Sequence, residues 1–326
     1  MFNSSFTRRL ALTVISVAAI TLAGCGGTTS SASSSSTTVN ALTVTPALGA
    51  AYGASVFVYS ASGTLLGSGT TSTTTGQVTL TLTGYTTGQP IIIKTVLGAG
   101  SFYFNEKTGA NTTPVTASET PVTLMAVIPT VATGQAVGVT ALTNMAAAFV
   151  GVTATTVIPT TTLTAAAVNE GIAKTNLALG LPTTTNITEA PVAASATNWN
   201  SATGVITGTT GTGSVTGKIL AEIARTSTTT PAAQAQALAA AVTSTGTVAT
   251  GTASAVLGTI NTALQAAAAT KLAIVVAVSV TDPNTAGYAD KLTAAKNAAT
   301  TATANAVPGA VQTPTGTGTG STSISG

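Results

Sequence analysis

Charge is scarce in this sequence. Only 5% of its 326 residues are Asp, Glu, Lys or Arg, against about 25% in an average soluble domain, so hydroxyl and backbone groups must hydrate most of the surface. Histidine is absent altogether. Its absence excludes Ser-His-Asp and Cys-His catalysis, the HExxH metalloproteases and every His-ligated zinc site, since each needs an imidazole as base or ligand. Cysteine occurs once, at position 25, so no disulfide can form within the chain and its stability has to come from packing. Aromatic residues make up 4%, with a single tryptophan. What the chain has in quantity is 73 Thr, 61 Ala and 33 Gly, just over half of all residues, and its hydrophobic residues, 44% of the chain, are enough to fill a core.

At the N-terminus Arg8 and Arg9 precede an apolar run from Leu10 to Ile20, eleven residues long. That is the length of a signal-peptide core and too short to span a bilayer as a helix. The run leads into Leu22-Ala23-Gly24-Cys25, which resembles the lipobox of bacterial lipoproteins. The resemblance implies that residues 1–24 are a signal peptide removed before Cys25, that the Cys25 thiol and its new amino group are acylated, and that the membrane is a partner through this anchor. More than one acyl chain gives stable anchoring where a single chain does not. In lipoproteins of this kind an Asp after the cysteine commonly retains the protein at the inner membrane; Gly26 stands there, which implies sorting to the outer membrane. Removal of Arg8 and Arg9 leaves eight basic and seven acidic residues. No basic cluster remains to neutralise phosphates, which excludes nucleic acid as a partner.

The mature chain divides by composition. Residues 25–40 are the anchor cysteine and a Ser/Thr-rich tether without periodicity, with a random-coil reach of about 20 Å. Residues 41–130 carry period-two, β-branched segments: Val56-Phe57-Val58-Tyr59, the alternation Val78-Thr79-Leu80-Thr81-Leu82, Ile91-Ile92-Ile93, Phe102-Tyr103-Phe104 and Val122-Thr123-Leu124. Turn signals at Ser62-Gly63, Thr75-Gly76 and Gly84-Tyr85 separate them, and short strands at this spacing predict an antiparallel β-sandwich. The succession Ala54-Ser55-Val56-Phe57-Val58, Ser62-Gly63-Thr64, Gly67-Ser68-Gly69-Thr70-Thr71 and Thr75-Gly76-Gln77-Val78-Thr79-Leu80 resembles the carboxypeptidase-regulatory-like, prealbumin-type β-sandwich. Members of that family often carry Asp before the turn glycine. Ser62 and Thr75 stand there in this chain, so the resemblance implies a fold and no metal ligands. Such modules accompany a function and do not perform it.

From about Gly138 the period becomes helical, and residues 138–307 are expected to form an α-helical domain of five or six helices. Thr140 and Thr164 are candidate N-caps, and Thr230-Pro231 and Asp282-Pro283 are cap-plus-proline pairs that mark helix starts. A further helix is placed near Thr216 with Ile219, Leu220 and Ile223, and another on the stripe Val256, Leu257, Ile260 and Leu264. The stretches Val139–Met145 and Asn176–Leu181 resemble a helical region that follows such β-modules in exported bacterial lipoproteins, a resemblance that transfers no function. Leu272–Val280 is too short for a membrane span and ends at Asp282-Pro283. Residues 308–326 read as a disordered Thr/Gly tail. The expected fold class is therefore α+β, an N-terminal antiparallel β-sandwich followed by a C-terminal helical bundle.

The residues available for chemistry are few. The acids Glu106, Glu119, Glu170, Glu189, Glu222, Asp282 and Asp290 are dispersed, without calcium-loop spacing. Lys218 and Glu222, four apart on a predicted helix, read as a weak surface pair. Trp199, between Asn198 and Asn200, is the candidate ligand contact, since an indole flanked by amides can stack on a sugar ring; the other reading is a core or loop anchor. Gly208–Gly213 has GxG spacing without the strand, turn, helix and lysine that phosphate binding requires. No catalytic, cofactor-binding or metal site is expected. The expectation is a lipid-anchored envelope protein with a structural or interaction role, its partners envelope proteins or glycans. Two alternatives stand beside it: a substrate- or glycan-binding lipoprotein with a pocket between its two domains, and an enzyme acting through carboxylates alone. With no imidazole to titrate, stability is expected to be flat between about pH 6 and 9.

Overall fold

A computed structural model describes residues 36–113, 115–159, 162–182, 185–207, 212–243, 246–249 and 252–267. The chain divides into two units, Met1–Ser34 and Ser35–Gly326, and all described residues belong to the second. In chain order the strands are β1 (Ser36–Ala47), β2 (Ala51–Tyr52), β3 (Ser55–Ser60), β4 (Leu65–Thr70), β5 (Val78–Thr86), β6 (Ile91–Leu97), β7 (Phe102–Asn105), β8 (Ala110–Asn111), β9 (Val122–Ile128) and β10 (Ala136–Thr140). Then come α1 (Ala141–Phe149), α2 (Ala165–Ala178), the short strands β11 (Trp199–Asn200) and β12 (Val205–Ile206), α3 (Thr212–Thr226), α4 (Pro231–Ala240) and α5 (Thr252–Ala267). The content is mixed α+β, with several antiparallel sheets and five helices among the described residues.

Two larger sheets, beside a small antiparallel one of order β2-β7-β8, carry the strand-rich part. One has the order β4-β3-β6-β9, antiparallel throughout. The other has the order β10-β1-β5, with β1 antiparallel to β5 and parallel to β10. The parallel strand departs from the purely antiparallel expectation. Residues 136–140 leave β9 through a turn at Gly134, whose φ is +76°, and return beside β1 rather than beside their immediate predecessor.

Period two explains the burial. In β5 Leu80 and Leu82 are buried while Thr79, Thr81 and Thr83 face solvent, because alternate side chains project to opposite faces. Strand β6 reads instead as a continuous apolar run, and all of Ile91, Ile92 and Ile93 are fully buried. Its sheet is covered on both faces. Ile91 and Ile93, with Leu124 and Ala126 of β9, enter the large cluster that also holds Leu42, Val44, Leu80 and Leu82 of the other sheet. Ile92, Met125 and Val127 point the other way, onto Ala147 of α1, Val168 of α2 and Leu163. Gly67 and Gly69 of β4 allow close approach to β5: a Cβ at Gly69 would lie 2.8 Å from Leu80 Cδ2 and 2.9 Å from Val78 Cγ2.

The helices begin where capping chemistry places them. Thr140 accepts from the Thr143 amide and Thr143 returns the bond to the Thr140 amide, a reciprocal capping box. Thr164 caps α2 through Ala167 N, and Thr230 caps α4 through Ala233 N with Pro231 in its first turn. Every residue of α1 is buried, and the large cluster continues from the strands through α1 into Ile219, Leu220, Leu238, Leu257, Ile260 and Leu264 of α3, α4 and α5. Alanine and glycine faces let these elements approach closely: a Cβ on Gly171 of α2 would lie 2.9 Å from the Ala146 carbonyl of α1. Buried amides then tie the parts together. Asn144 of α1 joins Met125 of β9 to Ala235 of α4, and Asn261 of α5 donates to the Leu179 carbonyl at the end of α2 at 2.9 Å.

Candidate functional site

Two places hold polar groups in an arrangement that packing alone does not require. The first is a cleft of about 650 Å³ between the C-terminal end of α1, the face of α2, residues 150–159 with Thr162 and Leu163, and Val242, Thr243 and Gly246. Its floor is Phe149 and Leu163, and its walls bear Thr153, Thr156, Thr162 and Thr243. Glu170 and Lys174, one turn apart on α2, stand at its edge as an ion pair of 3.0 Å. The lining is therefore hydroxyl-rich and carries no net charge. Its volume falls in the range of small-molecule pockets, about 300–1,000 Å³. Both walls belong to the helix-rich part and not to a junction with the sheets.

The second place is the turn after β7. Tyr103, Phe104 and Glu106 are all buried, Glu106 to 3% exposure. Glu106 Oε1 accepts the Gly49 amide at 2.8 Å, while Oε2 lies buried with no hydrogen-bond partner among the described residues. Burial pushes this carboxyl up to about 8, against the opposing pull of its own amide and that of Gly49; desolvation penalises the charged form. The Tyr103 hydroxyl is likewise raised by burial, while its bonds to Thr230 and the Ala232 amide pull the other way. The raised carboxyl overturns the expectation of flat stability between pH 6 and 9, which considered only groups at their ordinary values.

Trp199 lies beside this turn. It pairs with Ile206 in the β11–β12 hairpin, is half-buried, and presents its ring edge-on to Phe104 with centroids 6.5 Å apart. Its indole Nε1 is buried and has no partner among the described residues. Trp199 does not line the cleft.

The remaining acids are spread over the surface and the helices. Glu119 is exposed and accepts from the Thr116 amide at 2.6 Å, which holds its carboxyl below the ordinary value. Glu222, buried on α3, pairs with Arg225 through Nε at 3.3 Å and through Nη2, and that pairing raises the guanidinium further. Glu189 pairs as an isolated bridge with Val137. Among the described residues no three of His, Cys, Asp and Glu gather as metal ligands, and no helix is long and apolar enough to cross a membrane. Cys25, Gly208–Gly211, Leu272–Val280, Asp282, Pro283, Asp290 and residues 308–326 lie outside the described residues.

The sequence reading missed Glu106 as a buried group. No local pattern announces it, since β7 buries adjacent Tyr103 and Phe104 and Glu106 follows in the turn. Compared with known proteins, the chain matches no family model, no curated protein and no solved structure.

Proposed function

We propose that this is a lipid-anchored protein of the cell envelope, held at the outer membrane through Cys25 and serving a structural or interaction role without catalysis. The observation that carries the reading is Leu22-Ala23-Gly24-Cys25 following Arg8-Arg9 and the Leu10–Ile20 run, with the only thiol of the chain at the one position a lipobox needs. Residues 25–40 then act as a tether. Beyond it, the two sheets make a β-sandwich of the carboxypeptidase-regulatory-like kind and the helices a bundle over residues 138–307; the hydrophobic cluster shared by both sheets supports the first, and the packing of α1 on α2 and α4 the second. Metabolic labelling with a fatty acid tests the anchor. Label should enter the unaltered protein and disappear in Cys25→Ser, with the signal left uncut; label persisting in the Ser variant removes the reading.

A second reading is favoured by the cleft beside α2. Uncharged overall, lined by threonine hydroxyls over an aromatic and aliphatic floor, it suits a neutral polyhydroxylated ligand, which makes the protein a glycan-binding lipoprotein. Calorimetric titration with neutral oligosaccharides tests it. Binding that is lost in Thr156→Trp, which fills the cleft, supports the reading; absence of heat at millimolar sugar, or binding untouched by the substitution, removes it.

A further inference from the structure

Residues 102–111 touch three separate parts of the protein. The Phe104 amide donates to the Ala50 carbonyl at 2.9 Å, and the Ala50 amide donates to Ala194 at 2.8 Å. Lys107 Nζ donates to the Ser227 carbonyl at 3.0 Å, just past α3. The Tyr103 hydroxyl lies near the start of α4, where Thr230 and the Ala232 amide lower its proton affinity. The Phe104 ring meets Trp199, and Gly109 closes over the indole, its Cβ position 3.8 Å from Nε1. At the centre of these contacts Glu106 grips Gly49, whose own conformation (φ +38°) and neighbours leave no room for a side chain, since a Cβ there would lie 2.4 Å from the Phe104 carbonyl.

We propose that Glu106 is a proton-operated latch: as a neutral acid it holds the turn 105–109 closed on Gly49, and loss of its proton opens that turn and changes the packing around Trp199. Protonated, Glu106 buries one unpaired polar group; ionised, it buries an uncompensated charge, which costs far more. Its raised proton affinity, near 8, keeps it neutral in mildly acid and neutral conditions.

The surroundings offer an ionised Glu106 no ready counter-charge. On its own segment stand Tyr103 and Lys107, the latter with its amine on Ser227 O. On β2 stands Tyr52, and both tyrosines are raised above their ordinary value of 10.0 and stay neutral. Helix α3 carries Lys218, Glu222 and Arg225, the last two paired with each other; Glu189 lies in the segment ahead of β11. The β11–β12 hairpin and α4 carry no ionisable side chain. A new charge on Glu106 is therefore met by entering water or by Lys107 leaving Ser227, and either route opens the turn.

Trp199, the single tryptophan, reports the change. The experiment is a fluorescence titration of the full chain from pH 5.5 to 9.5 in a Cys25→Ser background, because a free thiol titrates at about 8.5. The expected result is a one-proton transition centred near pH 8 that disappears in Glu106→Gln. A flat titration, or a transition that survives in Glu106→Gln, overturns the proposal. Should the Gln variant fail to fold, amide exchange on the Cys25→Ser chain decides. The Gly49 amide should be less protected than the β6 amides, and its protection, corrected for intrinsic base catalysis, should fall by up to tenfold per pH unit between about 5 and 8. Protection at Gly49 that is independent of pH, or equal to that of β6, overturns it.

Discussion

The side-chain carbonyl of Asn144 accepts the Met125 amide at 2.9 Å. Asn144 Nδ2 donates to the Ala235 carbonyl at 3.1 Å, so one buried side chain on α1 ties β9 to α4. Asn144→Ala leaves the buried Met125 N–H without its partner, at about 1–3 kcal/mol, while the Ala235 carbonyl, inside α4, keeps its helical bond. The expected loss is about 1–3 kcal/mol, measured by denaturant unfolding. Asn144→Asp should do further harm, because it keeps the acceptor but faces the Ala235 carbonyl with a second oxygen.

Gly217 sits in α3 beneath the extended segment 190–193, and a Cβ there would meet the Val192 carbonyl oxygen at 2.0 Å. Alanine gains about 1 kcal/mol of helix propensity over glycine, but the obstacle is backbone and cannot rotate away. Gly217→Ala should therefore lower stability by about 2 kcal/mol or more net. Gly98→Ala is the control: nothing lies within 4 Å of its Cβ position, and its effect should stay within about 0.5 kcal/mol. Equal melting temperatures for the two variants would show that the segment is not seated on α3 as described.

Much of this fold was legible from local chemistry. Thr140, Thr164 and Thr230-Pro231 could be read as helix starts because a hydroxyl three residues before an exposed amide is a short-range signal. Leu80 and Leu82 could be read as inward because alternation along a strand is likewise local. What escaped depends on distant partners. Strand β10 is five residues long and pairs with β1 from far along the chain, setting Val137 beside Val44 and Val139 beside Pro46. Its alternation is only Val137 and Val139 around Gly138, and that glycine looked like the onset of a helix. It is a glycine because residues 189–191 pass over it, its Cβ position lying 2.8 Å from the Glu189 carbonyl. Trp199 stands out by rarity, and the sequence offers both a ligand contact and a core or loop anchor; its edge-on contact with Phe104 is a tertiary relationship that no spacing announces. Glu106 was one acid among seven until burial distinguished it.

Thr95 offers a change in the opposite direction. It is fully buried in β6 on the face toward the large cluster, and its Oγ1 has no hydrogen-bond partner among the described residues. A buried hydroxyl without a partner costs about 1–3 kcal/mol. Valine keeps the branched shape and β preference while replacing the hydroxyl by a methyl group. Thr95→Val should raise stability by about 1 kcal/mol, a melting shift of a few degrees for a chain of this size. A loss of stability would mean that the hydroxyl is bonded, for instance to an internal water.

Glu106 makes stability depend on pH despite the absence of histidine. Its carboxyl titrates near 8 when folded and at about 4.5 when unfolded. Between those values the folded protein holds a proton that the unfolded chain has released, so unfolding gives up a proton and stability falls as pH rises. The contribution is complete below about 4.5, declines by up to about 1.4 kcal/mol per pH unit, and stops changing above about 8. Glu119 acts in the other direction and in another window: its lowered carboxyl loses its small benefit only as pH drops below the ordinary carboxylate range. The melting temperature of the full Cys25→Ser chain should therefore decrease steadily from pH 5 to 8 and level off beyond. In Glu106→Gln the curve should be flat over the same interval, and at pH 8 the variant should melt above the parent, since an amide pays no penalty for ionisation. A parent curve without slope between pH 5 and 8 would place Glu106 in contact with water.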